Sequence, residues 1–151
     1  MQLTGRNDNS LTLSIQGYEF PEAPEAPEDD WDANWLVIRV DVRNDEGNWT
    51  ATAPCLTTRE VVELADWLED PAGELDFTEP NLVFEFVLEH DGDVQLRVWF
   101  ELESRPDWAE SRVAGERDLS ADLTVSHAEL AQASTELRRQ LAAFPPRAGW
   151  A

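Results

Sequence analysis

The chain has 151 residues, of which 32 are acidic and 11 are basic, giving a formal net charge of −21. Every basic residue is Arg, and this charge balance argues against direct binding to nucleic acid or to anionic membranes, since both need clustered cations. Hydrophobic residues form 42% of the chain, which is enough for a folded core. The length fits one domain over residues 1–151.

The sequence lacks signals for secretion and for membrane insertion. Residues 1–10 carry neither a basic region nor an apolar stretch of the kind that a signal peptide needs. No apolar run approaches the roughly 18 residues of a membrane span. Cys55 is the only cysteine, so an internal disulfide and a thiol-rich metal site are both excluded. We therefore expect a cytoplasmic protein.

Alternating apolar and polar residues predict strands along most of the chain. A first strand is expected over residues 11–16, and a hairpin over residues 36–55 with its turn at residues 44–48. A second hairpin is expected over residues 82–102, because the Asp-Gly pair at 91–92 is a strong hairpin signal. A further strand is expected over residues 119–125.

Two segments carry helix signals. Thr57 with Glu60, and Ser126 with Glu129, match the capping box that begins many helices, and apolar residues follow both at helical spacing. These patterns predict helices over 57–70 and 126–144. The order of strands, helix, strands and helix predicts an α+β fold, with a mostly antiparallel sheet of about six to eight strands and both helices packed on one face.

An acidic, proline-rich segment spans residues 20–32, where three prolines at every third position favour an extended loop. Asp29, Asp30 and Asp32 surround Trp31 at its end. Oxygen ligands could hold a hard cation there, but the segment lacks the spacing and the turn glycine of an EF-hand. We expect no metal, and we interpret these four residues as candidates for binding a partner.

The sequence gives no sign of a catalytic site. His90 falls at the second hairpin turn and His127 in the first turn of the last helix, and neither position suits a general base held in a cleft. The glycine-rich loops that bind phosphates are absent, as is the nucleophile elbow of hydrolases. We expect a protein that is not an enzyme and has no cofactor.

A strand face provides the second set of candidate binding residues. Strand phase places Trp99 with Arg97, Glu101 and Glu103 opposite the apolar stripe. Trp and Arg often anchor protein interfaces, and surrounding carboxylates favour a basic partner. Trp99 would equally suit a sugar platform, or would pack under a loop as aromatic residues in strands usually do.

Framework stretches along most of the chain carry a family resemblance, and they read DANWLVIRVDV, TTREVVELADWL, NLVFEFVLE, LRVWFEL and HAELAQASTELRRQLAAFPPR. With these stretches the layout resembles the WapI-type immunity proteins, which are small bacterial proteins that neutralise the C-terminal toxin domain of a wall-associated contact-dependent system. The resemblance implies a cytoplasmic antidote that inhibits a toxin such as an RNase by direct binding. It assigns no binding residue.

Two other classes of function stay open at this point. One is a β module that binds a carbohydrate or a small ligand through Trp99 and nearby acids. The other is an enzyme whose site the sequence hides. The leading hypothesis is an immunity protein that binds a basic toxin domain, and the sequence indicates no oligomeric state.

Overall fold

The structure is a computed structural model, which describes residues 1–22, 30–109 and 117–147, with only the backbone of residues 30 and 31. The described residues form eight strands and three α-helices. The strands are β1 (Gln2–Thr4), β2 (Ser10–Tyr18), β3 (Trp35–Asn44), β4 (Gly47–Thr57), β5 (Glu74–Leu75), β6 (Leu82–His90), β7 (Asp93–Phe100) and β8 (Ser120–Ser126). The helices are α1 (Asp30–Ala33), α2 (Thr58–Glu69) and α3 (His127–Leu141).

The strands form two antiparallel sheets of four strands each, in the orders β1-β2-β3-β4 and β5-β6-β7-β8. The predicted α+β class and the antiparallel pairing are confirmed, although the prediction placed the strands in one sheet. Helix α2 and its flanking loop separate β4 from β5 in the chain. The four strands before α2 pair with one another, and so do the four strands after it. Strands β1 and β5, which have three and two residues, were not predicted because such short elements show no alternation.

The second hairpin has the predicted turn but contains a bulge. Asp91 and Gly92 have φ of 51° and 82°, the left-handed values that a two-residue turn of this kind requires. The pairing of β6 with β7 shifts between Phe86 and Leu88. The bulge places Leu88 in solvent, whereas uninterrupted alternation along the strand would put its side chain on the buried face of Phe84.

Both long helices begin where the capping boxes predict. Thr57 accepts a hydrogen bond from the Glu60 amide, and the Glu60 carboxylate accepts one from the Thr57 amide. Ser126 and Glu129 make the same reciprocal pair at the start of α3. Each box satisfies amide groups that a helix end would otherwise leave without partners. The helices are slightly shorter than predicted at their C-terminal ends.

One apolar core joins both sheets to α2 and α3. It contains Phe84 and Phe100 from the second sheet together with leucines of both helices. The loop between β1 and β2 links the sheets, because the Arg6 amide donates to the Thr124 carbonyl of β8 at 3.0 Å. Gly5 permits this approach, since a Cβ atom there would lie 3.1 Å from the Thr124 nitrogen. The outer faces of the two sheets point away from this core.

Candidate functional site

The acidic segment is held at both of its ends by Arg147. The guanidinium donates to the carbonyls of Phe20 and Pro21 at 2.8 and 3.1 Å, and to the carbonyl of Ala33 at 2.6 Å. It also lies over the Tyr18 ring, 3.6 Å from its centroid. These contacts fix where the segment leaves and rejoins the fold.

The candidate residues of the acidic segment are only partly described. Asp29 and the side chains of Asp30 and Trp31 lie outside the described residues. Asp32 is exposed. Residues 30–33 form a single helical turn, so the prediction of an extended loop is wrong at this end of the segment. The role of Asp29, Asp30, Trp31 and Asp32 in binding a partner stays a prediction.

Trp99 lies on the outer face of the second sheet, as strand phase predicts, and it is half-buried. Its indole nitrogen donates to Glu85 at 3.0 Å, and the Arg97 guanidinium lies over the ring at 5.7 Å from the centroid. Arg97 also donates to the Asp122 carboxylate at 2.7 Å. A sugar that stacked on this side of the ring would have to displace Arg97, which disfavours the sugar-platform interpretation.

The other two residues predicted for this face lie elsewhere. β7 ends at Phe100, and a 3-10 helix over Leu102–Ser104 follows, so strand phase no longer applies. Glu101 is buried and accepts a hydrogen bond from Arg105 at 2.9 Å. The prediction that Glu101 lies exposed beside Trp99 is therefore wrong. Glu103 is exposed, but it lines two grooves beside β4 instead.

The first groove has a volume of about 260 Å³ and contains Trp35 at the start of β3. Its other lining side chains include the carboxylates of Glu19, Glu79 and Glu103. Burial raises the pKa of Glu19, and the neighbouring charges of Asp32 and Glu79 raise it further. Asp32, from the acidic segment, therefore lies close enough to act on this groove electrostatically.

The second groove has a volume of about 270 Å³ and contains Trp108. Trp108 belongs to a second 3-10 helix, Asp107–Ala109, and 47% of the residue is exposed. Its ring makes an edge-to-face contact with Trp49, with the centroids 5.8 Å apart. The buried Trp49 indole is fixed in turn by a 2.9 Å hydrogen bond to the Ser104 carbonyl. Asp107 and Glu103 add carboxylates to this groove.

The two grooves lie side by side along β4, one of the two edge strands of the first sheet, and they share Glu103. We call this region the edge surface and define it by its aromatic and acidic members. They are Glu19, Trp35, Glu79, Glu103, Asp107 and Trp108. Arg105 is the one basic residue among the described residues that line the grooves, and it already binds Glu101 and Asp118. Negative potential therefore dominates both grooves.

The titratable groups show little sign of catalytic arrangement. His90 and His127 are both exposed, and they pair with Asp91 and Glu89 respectively. Burial raises the pKa of the Cys55 thiol to about 12, and the charges of nearby glutamates add to this effect. No group of three potential metal ligands occurs among the residues that the structure describes. Within those same residues, no helix is long and apolar enough to cross a membrane.

Only part of the edge surface is predictable from the sequence. Glu103 is a predicted candidate, although the prediction assigned it to a different face, and the candidate Asp32 lies near the first groove without lining it. Glu19, Glu79 and Asp107 were missed because they come from separate loops that only the tertiary fold brings together. An aromatic residue next to acids, as in the sequence around Trp108, is a local signal that could have indicated this region.

The fold and its surfaces define a small acidic α+β protein whose prominent features are aromatic, carboxylate-lined grooves. A model of the immunity protein WapI-like family matches residues 2–145. The chain belongs to this family, which confirms the resemblance seen in the sequence. A search of curated proteins gave no match.

Proposed function

We propose that this chain is a cytoplasmic immunity protein that neutralises its cognate toxin by binding the toxin domain directly. The family match over residues 2–145 is the observation that carries the proposal. The toxin domain is expected to be basic, as an RNase would be. The protein acts by occupying a surface of the toxin and performs no chemistry itself.

The charge of the chain supports a basic partner. A nuclease must hold phosphate groups, so its substrate-binding surface is rich in Lys and Arg. A protein with a net charge of −21 is attracted to that surface and competes with RNA for it. Complementary charge also speeds encounter and disfavours acidic competitors. Direct occlusion of the phosphate-binding surface is therefore the expected mode of inhibition.

The test is to look for a toxin gene beside the gene of this protein, to purify the C-terminal domain of that toxin and to mix it with the protein. Isothermal titration should show a stoichiometric complex, and a fluorescent-RNA assay should show loss of cleavage at equimolar ratio. The variant His90→Gln, His127→Gln should inhibit as strongly as the wild type, since both side chains are exposed. Absence of a complex at micromolar concentration would refute direct binding.

The assay also separates the function from generic acidity. An unrelated protein of similar size and charge serves as the control, because any polyanion competes with RNA to some degree. The immunity protein should inhibit at concentrations at least about tenfold lower than this control, because complementary shape adds to charge. Equal inhibition by the two proteins would show that net charge alone causes the inhibition.

A further inference from the structure

We propose that the edge surface is the docking site for the partner, and that arginine side chains of a basic protein domain enter the grooves at Trp35 and Trp108. This inference rests on the proposed function, from which the basic partner domain comes. It adds the surface that binds this partner and the chemical group, a guanidinium, that the surface recognises. The outer face of the second sheet, around Trp99, is the competing location.

The size of the grooves favours single side chains as occupants. Their volumes are about 260 and 270 Å³, below the range of roughly 300–1,000 Å³ that is typical of small-molecule sites. Each lies beside β4 and has tryptophan in its lining, with carboxylates close by: Trp35 in the first groove, and Trp108 with the buried Trp49 in the second. A long side chain that ends in a planar cation fits such a groove better than a metabolite does.

The chemistry of the lining selects arginine. A guanidinium stacks on an indole ring through both cation–π attraction and planar contact, and it binds a carboxylate through two parallel hydrogen bonds. Trp35 has Glu19 and Glu79 in its groove, and Trp108 has Asp107. A lysine ammonium gains less from the same groups, because it is more strongly hydrated and lacks the planar fork.

The carboxylates of the edge surface have no cationic partner among the described residues, whereas Asp122, near Trp99, is paired with Arg97. Among the residues that the structure describes, Glu19, Glu79 and Asp107 form no salt bridge. Burial is the main cause of the raised pKa of Glu19, and the negative charges of Asp32 and Glu79 add to it; a cation bound beside these carboxylates would offset that second contribution. On the other face, Arg97 covers the Trp99 ring and pairs with Asp122.

Buried contacts order the chain at residues 101–105, which lead into the groove at Trp108. The Arg105 side chain is only 6% exposed and donates to both Glu101 and Asp118, at 2.9 and 2.7 Å. Leu102, between these anchors, has a left-handed φ of 51°, which is strained for a leucine and is held by the surrounding contacts. Because the segment is already ordered, little conformational entropy is lost when a partner binds.

Two substitutions test the surface in the complex with the toxin domain. Trp108→Ala removes the exposed ring, and Glu103→Gln removes the charge shared by both grooves while keeping an acceptor for Asn81. We expect each to weaken binding by about tenfold or more, with Trp108→Ala acting mainly through faster dissociation. Leu88→Ala, at an equally exposed apolar residue on β6, is the control and should change the affinity by less than about twofold.

A toxin-free probe keeps the surface testable by itself. N-acetyl-arginine amide, titrated into the ¹⁵N-labelled protein, should shift the indole signals of Trp35 and Trp108 more than that of Trp99. The lysine analogue should shift them less. If the wild type does not bind the toxin domain, the proposed function fails, and this titration still decides whether the grooves take a guanidinium.

The outcomes separate the surface from the function. If the wild type binds the toxin domain while Trp108→Ala and Glu103→Gln bind as tightly as it does, the edge surface is refuted and the immunity function stands. Loss of affinity in Trp99→Ala alone would move the interface to the outer face of the second sheet. Indole signals that do not respond to the arginine probe would also overturn the inference.

Discussion

Replacing Phe84 by Ala should destabilise the protein strongly. The Phe84 side chain is fully buried, and its ring makes edge-to-face contacts with Trp67 and Phe77 at centroid distances of 6.1 and 6.3 Å. Truncation loses the transfer free energy of the ring and leaves a cavity, which together cost about 3–5 kcal/mol. For a chain of this length, that loss lowers the melting temperature by roughly 6–20 °C.

The matched control is Leu88→Ala on the same strand. Simple alternation would make this substitution comparably costly, whereas the bulge leaves Leu88 46% exposed. We expect a change of at most about 0.5 kcal/mol. Urea unfolding followed by circular dichroism measures both variants against the wild type. A Leu88→Ala cost above that of Phe84→Ala, or a Phe84→Ala cost below about 1 kcal/mol, would refute the placement of β6.

Three further predictions follow from charge and burial. The association rate with the toxin domain should fall steeply as salt rises to physiological strength, while the dissociation rate changes little, because screening limits charge attraction to about 8 Å. Stopped-flow measurements test this, and an association rate that does not depend on salt would show that the acidic charge has no role in binding. Cys55 should react with a thiol reagent at pH 8 far more slowly in the native protein than in the urea-unfolded protein, because a pKa of about 12 leaves few thiolates. Equal reaction rates in the two states would contradict the burial of Cys55. Glu19→Gln should raise the free energy of unfolding at neutral pH, because the raised pKa of Glu19 means that its ionised form destabilises the fold. That gain should shrink as pH falls through the raised pKa toward the ordinary value, and a gain that persists in thermal melts near pH 4 would contradict the assignment.

Local sequence signals predicted the helices and the main hairpins well. A capping box such as Thr57 with Glu60 works within one helical turn, and an Asp-Gly turn at residues 91–92 works within four residues, so both are visible without tertiary structure. The class of fold followed from the order of these elements. Its division into two sheets did not follow, because which strands pair depends on contacts between distant parts of the chain.

The candidate site was harder to predict for the same physical reason. Strand phase located Trp99 correctly, but it failed for Glu101 because the strand ends one residue earlier. A single bulge likewise reversed the orientation of Leu88. The grooves at Trp35 and Trp108 combine loops that lie far apart in the sequence, and periodicity carries no information about such contacts.

The contacts of Arg147 allow the sequence of the acidic segment to vary independently of the rest of the protein. Arg147 holds that segment through the main-chain oxygens of Phe20, Pro21 and Ala33, which almost any amino acid would supply. Residues between these anchor points can therefore be exchanged without loss of the anchorage. A lineage could retune the charge next to the Trp35 groove for a changed toxin while the core stays as it is. Truncation before Arg147 would remove this freedom, because the ends of the segment would lose their common attachment.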